Sequence, residues 1–66
     1  MQIFLNGQPY ECGAAATVAT LLAETGHGGR RVAVEVNREI VPRSRHPGHV
    51  LHEGDRVEIV HAMGGG

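Results

Sequence analysis

Four sets of residues in this 66-residue chain have types or spacing that suggest chemistry: three terminal glycines, one cysteine, five histidines and a scatter of arginines. The glycines, Gly64, Gly65 and Gly66, cannot serve stability, because glycine loses the most backbone entropy on ordering and has no side chain to bury. A frayed end is the plain alternative. Against it stands their position: they follow directly on a strand-like run, with no polar linker, and finish at a carboxylate. Extended at roughly 3.3–3.6 Å per residue, the three reach about 10 Å beyond a folded body, and they are slim enough to thread a narrow channel. Such a tail suits presentation of its own carboxylate to a partner.

The other sets make weaker cases. His46, His49 and His52 recur every three residues, but Pro47 and Gly48 lie inside the run and no cysteine accompanies it. The segment reads as solvated loop, and no metal is expected. Cys12 points inward by the strand alternation described below, as an inert small hydrophobe. Gly26-His27-Gly28-Gly29 is no phosphate loop, since it follows a helix and lacks the Lys-Ser/Thr ending. Arg30, Arg31, Arg43 and Arg45 read as a solvated face that could lend rim charges to a partner. No catalytic residue emerges, and no bound cofactor is expected.

Length and composition agree with that absence. A chain this short forms one modest core and buries only about 60% of the surface its unfolded form exposes, so a deep catalytic cleft is not expected. The formal net charge is −1, six arginines against seven acids, interspersed rather than blocked. Nucleic acid and anionic membranes are therefore not the expected partners. Lysine is absent, so no side-chain amine is available to receive an isopeptide bond. A single cysteine excludes an internal disulfide, no run approaches the roughly 20 apolar residues of a membrane span, and the N-terminus lacks the order of a signal peptide. A cytoplasmic protein is expected.

The elements that must position the tail are legible in outline. Asn6-Gly7 between Met1–Leu5 and Gln8–Cys12 predicts a two-residue hairpin in which Leu5 faces Gln8, Phe4 faces Pro9, Ile3 faces Tyr10 and Met1 faces Cys12. Met1, Ile3, Leu5, Tyr10 and Cys12 then share one face, and Phe4 is left on the other. Thr17 caps a short helix whose Val18, Leu21, Leu22 and Thr25 form one stripe, with Gly26 as its stop. Eight residues are too few to be helical alone, so the stripe must pack on a sheet. Val32–Val36 alternates as a strand, Asn37-Arg38-Glu39 turns, Ile40-Val41 extends and Pro42 ends it. Arg43–Leu51 reads as an irregular connection. Arg56–Val60 is the last strand, with Val57 and Ile59 inward and Val60 outward. The order β-β-α-β-β with one covering helix is an α+β layout. It leaves the second sheet face open, where Phe4, Val60 and, just beyond the strand, Met63 form a candidate partner surface beside the ordinary alternative of scattered apolar side chains. A domain over residues 1–63 and a flexible glycine tail over 64–66 are expected.

Taken in order, Met1 to Asn6, Thr17-Val18 with Leu21-Leu22, Ile40-Val41-Pro42-Arg43, and Glu53-Gly54-Asp55-Arg56-Val57-Glu58-Ile59-Val60 leading into glycines resemble the ThiS family of thiamine-biosynthesis sulfur carriers. The resemblance spans essentially the whole chain, which carries three terminal glycines where many relatives have two. It implies a ubiquitin-like β-grasp fold, with a small mixed sheet and one helix, and a carrier rather than an enzyme. It further implies that an E1-like partner uses MgATP to adenylate the carboxylate of Gly66, and that sulfur from a persulfide donor displaces AMP to leave a thiocarboxylate for thiazole synthase. Gly64 and Gly65 would thread the partner, where a Cβ would obstruct approach to the nucleotide. Two alternatives stay open: a related carrier that delivers sulfur to molybdopterin or tRNA or is a ubiquitin-like modifier conjugated to other proteins, and a plain ubiquitin-like interaction module without tail chemistry.

Overall fold

The computed structural model describes residues 1–61. Strand β1 (Gln2–Leu5) turns into β2 (Gln8–Glu11) through Asn6 and Gly7, whose φ angles of 50° and 85° place both in the left-handed region. That pair of angles is the two-residue turn whose twist matches paired strands, and it is why asparagine followed by glycine stands there. The register is the one that the turn implies, with Phe4 opposite Pro9 and Ile3 opposite Tyr10. Beyond β2, the Cys12 N–H donates to the Met1 carbonyl at 2.9 Å, which carries the alternation on to the buried Cys12.

Helix α1 (Val18–Glu24) starts where the sequence says it should. The Thr17 hydroxyl accepts from the Thr20 N–H at 3.2 Å, while the Thr17 N–H donates to the Thr20 hydroxyl at 2.8 Å. Threonine thus completes a reciprocal cap more often built with glutamate or glutamine. The helix ends at Thr25, followed by Gly26 at φ 83°. Val18, Leu21 and Leu22 are its buried stripe, set on the sheet.

Strand β3 (Val32–Val36) turns through Asn37 and Arg38 into β4 (Glu39–Val41), and β5 (Arg56–His61) closes the sheet in the order β2-β1-β5-β3-β4. Strand β5 runs parallel to β1 and antiparallel to β3, so the sheet is two hairpins joined by the last strand. The two hairpin turns help hold that strand. Asn6 Oδ1 accepts from the Ile59 N–H at 2.8 Å, and Asn37 Oδ1 accepts from the Arg56 N–H at 3.0 Å. Ile3, Val18, Leu21, Val34, Leu51 and Val57, each under 2% exposed, form the centre of the core between sheet and helix.

The irregular, solvated stretch expected over Arg43–Leu51 is instead tied down. Arg43–Gly48 forms a 3₁₀ helix with Pro47 inside it, Leu51 is fully buried, and His46 is buried. The Val18 N–H donates to the His49 carbonyl at 3.0 Å and the Leu51 N–H to the Ala16 carbonyl at 2.9 Å, which fastens the segment to the helix start. The imidazole of His46 is held because its Nε2 donates to the Val41 carbonyl at 3.1 Å, an oxygen that can only accept. The seven-residue helix is too short to cover the sheet alone, and this connection supplies the rest of the cover.

Candidate functional site

Strand β5 positions whatever follows it. Its alternation puts Val57 and Ile59 into the core and Arg56, Glu58 and Val60 on the open face. On that face Val60 lies opposite Ala33, Glu58 opposite Glu35, and Glu35 also opposite Ile40. Phe4 lies beside Arg56, whose guanidinium carbon sits 5.6 Å from the centre of the phenyl ring. That stacking explains how a phenylalanine on the polar side becomes half-buried without entering the core.

The structure therefore puts Phe4 and Val60 on one face, as the alternation requires, without bringing them into contact. Val60 lies four positions along β5 from Arg56, about 13 Å of strand, and Glu58 stands between them. Val60 is 56% exposed, and Ile40, at 70%, is the most exposed large apolar side chain on the face. Ile40 was not singled out from sequence, although its place beside the inward Val41 predicts its direction. Met63, Gly64, Gly65 and Gly66 lie outside the described residues.

The end of β5 sits against the other side of the molecule. His61 pairs with Val32 at the start of β3, and its ring centre is 5.3 Å from that of His27. His27 Nδ1 is 2.9 Å from the Thr25 hydroxyl, which fixes its ring next to the helix end. Strand β5 thus ends at the junction of the α1–β3 loop with the sheet.

The remaining reactive side chains are accounted for structurally. Burial pushes the Cys12 thiol above its ordinary range, which leaves it a poor nucleophile. The N-terminal ammonium donates to Glu11 at 3.0 Å, and that hydrogen bond raises its pKa. Tyr10 donates its hydroxyl to Glu24 at 3.0 Å and is likewise raised, tying β2 to the helix end. Among the described residues no three His, Cys, Asp or Glu side chains converge as a metal site, and no helix is long and apolar enough to cross a membrane.

Comparison with known proteins agrees with the fold and reaches past it. The ThiS family model matches residues 3–66. Sulfur carrier protein ThiS of Escherichia coli is 33% identical over 66 residues, covering the whole of both chains. A thiazole synthase of Paramagnetospirillum magneticum is 44% identical over the whole of this chain, which spans only 20% of that relative's length. The crystal structure of a thiamine biosynthesis protein (ThiS) from Geobacter metallireducens superposes with a TM-score of 0.86 at 30% identity, and the match covers all of both chains.

Proposed function

The chain belongs to the ThiS family, and from that membership we propose that it carries sulfur for thiamine biosynthesis on the carboxylate of Gly66. It is a carrier, acted on by partner enzymes. The observation that carries this reading is that the family match runs through the terminal glycines to residue 66 rather than stopping with the folded body. The described domain supports it from the other side, since its single thiol is buried.

A carboxylate is a poor electrophile, so it must first be activated. An E1-like adenylating partner joins a Gly66 carboxylate oxygen to the α-phosphorus of MgATP, releasing pyrophosphate. The terminal sulfur of a donor persulfide then attacks the acyl carbon and AMP leaves, giving an acyl disulfide. A further thiol cleaves the S–S bond, the donor sulfur passes into a disulfide, and the thiocarboxylate stays on Gly66. Thiazole synthase takes the sulfur from there. That partner is suggested by relatives named thiazole synthase, in which a stretch similar to this whole chain forms a fifth of the protein. Gly64 and Gly65 thread the partner, where backbone without Cβ atoms lets the acyl group approach nucleotide and persulfide closely.

The test is intact-protein mass spectrometry after incubation with MgATP, the adenylating enzyme and a sulfur source. The native chain should exchange one oxygen for sulfur. One residue appended after Gly66 should abolish loading with the fold unchanged. A bulky residue at Gly65 or Gly66 should impair it, and Gly64→Ala should be tolerated. Sulfur acquired at the new end of the extended chain, or found on Cys12, would overturn the proposal.

A further inference from the structure

A concavity lies beside the end of β5. It is an open groove of about 620 Å³ between the α1–β3 loop and the 3₁₀ helix, floored by Leu22, Val32 and Pro47 and edged by Arg30, Arg31 and Arg43. None of its lining residues is acidic, and three of them are arginines. The seven acids all lie elsewhere in the sequence, and the one ion pair among the described residues is Met1 with Glu11. The groove is thus a local excess of positive charge, without internal neutralisation, on a chain whose net charge is −1. Holding like charges together with no counter-charge works against the fold, which directs attention to a counter-charge from outside.

Its position says which molecule brings that charge. His27 lines the groove and meets His61, the last residue of β5, so β5 ends at the groove's edge. A protein that takes up the C-terminal segment close to its root approaches these arginines. The groove is open and its arginines are exposed, which suits flexible, screened contact with a protein surface better than capture of a small anion by fixed, buried donors.

We propose that Arg30, Arg31 and Arg43 form an electrostatic seat for an acidic surface on the adenylating partner, bordering the channel that receives the C-terminal segment. The proposal rests on the carrier reading above. Rim charges of this kind act on encounter and orientation, so their signature is an association rate that falls with salt. The open sheet face makes the apolar contact, and the groove sets the angle at which that face arrives.

The experiment is association kinetics of the full chain with the adenylating enzyme at low and high salt. It compares Arg30→Glu, Arg31→Glu and Arg43→Glu with Arg38→Glu, which changes net charge equally from the far β3–β4 turn. Each groove variant should associate about tenfold more slowly at low salt and show a flatter salt dependence, whereas Arg38→Glu should keep the native rate. Equal effects from all four variants would reduce the seat to net charge and overturn it, as would native rates in the groove variants. Competition by inorganic pyrophosphate at constant ionic strength would reassign the groove to a small anion. Loading of the native chain, read in parallel by mass, separates the two ideas: a chain that acquires sulfur while its groove variants bind normally loses the seat and keeps the carrier.

Discussion

His46 shows how one side chain can be misjudged by its neighbourhood. Proline, glycine and two further histidines around it suggest water, yet it is 6% exposed and donates to the Val41 carbonyl at the end of β4. His46→Ala would remove that hydrogen bond and open a void under the 3₁₀ helix, a loss of about 1–3 kcal/mol. In a domain this small each kcal/mol lowers Tm by roughly 4–8 °C. Thermal unfolding by circular dichroism checks it, with and without chelator. An unchanged melting temperature in the variant would mean the ring is not held as described, and a chelator-dependent one would restore the metal reading. Cys12, by contrast, could be placed from alternation alone, because every second residue of the first hairpin points inward.

Among the elements, the two hairpins offer a controlled comparison. Both use two-residue turns with left-handed φ at each position, but the first places glycine second and the second places Arg38 there, at φ 71°. A Cβ in that region is strained by about 1–2 kcal/mol. Arg38→Gly should therefore stabilise the fold by about 0.5–1 kcal/mol, the gain being reduced by the greater freedom of glycine in the unfolded chain. Denaturant unfolding measures it, and a lower midpoint would show that the arginine side chain contributes something the backbone argument omits. The same comparison explains what could be read in advance. Asn6-Gly7 declares its turn and register, and Thr17 to Gly26 declares both ends of the helix. The 3₁₀ helix announces neither end, since the residues just beyond it, His49 and Leu51, are tied to Val18 and Ala16, far away in sequence. Sequence alternation put Phe4 and Val60 on the open face; the separation between them depends on the β1–β5 register, which is set by contacts across the whole length of the chain.

At the scale of the whole molecule the surface divides into two unlike regions, an open sheet face mixing apolar side chains with the facing Glu35 and Glu58, and a basic groove beyond the end of β5. A partner that grips the open face should depend on Val60, which is exposed and contributes nothing to the helix-side core. Val60→Asp should weaken binding to the adenylating enzyme about tenfold, on the order of 1.4 kcal/mol, with unfolding unaltered. Charge at Phe4 should act in the same direction. Calorimetry decides, and native affinity in both variants would remove this face from the interface. The joining role of β5 also reaches back to synthesis. Until that strand has left the ribosome the sheet is two hairpins with no strand between them, each too small to be stable by itself. The closing contacts link residues as far apart as Asn6 and Ile59, so folding must wait for nearly the whole chain. A nascent fragment lacking β5 would have neither a complete open face nor a root for the tail. Enzymes that recognise the folded sheet would thereby be shielded from engaging a carrier that has not yet been given its last residues.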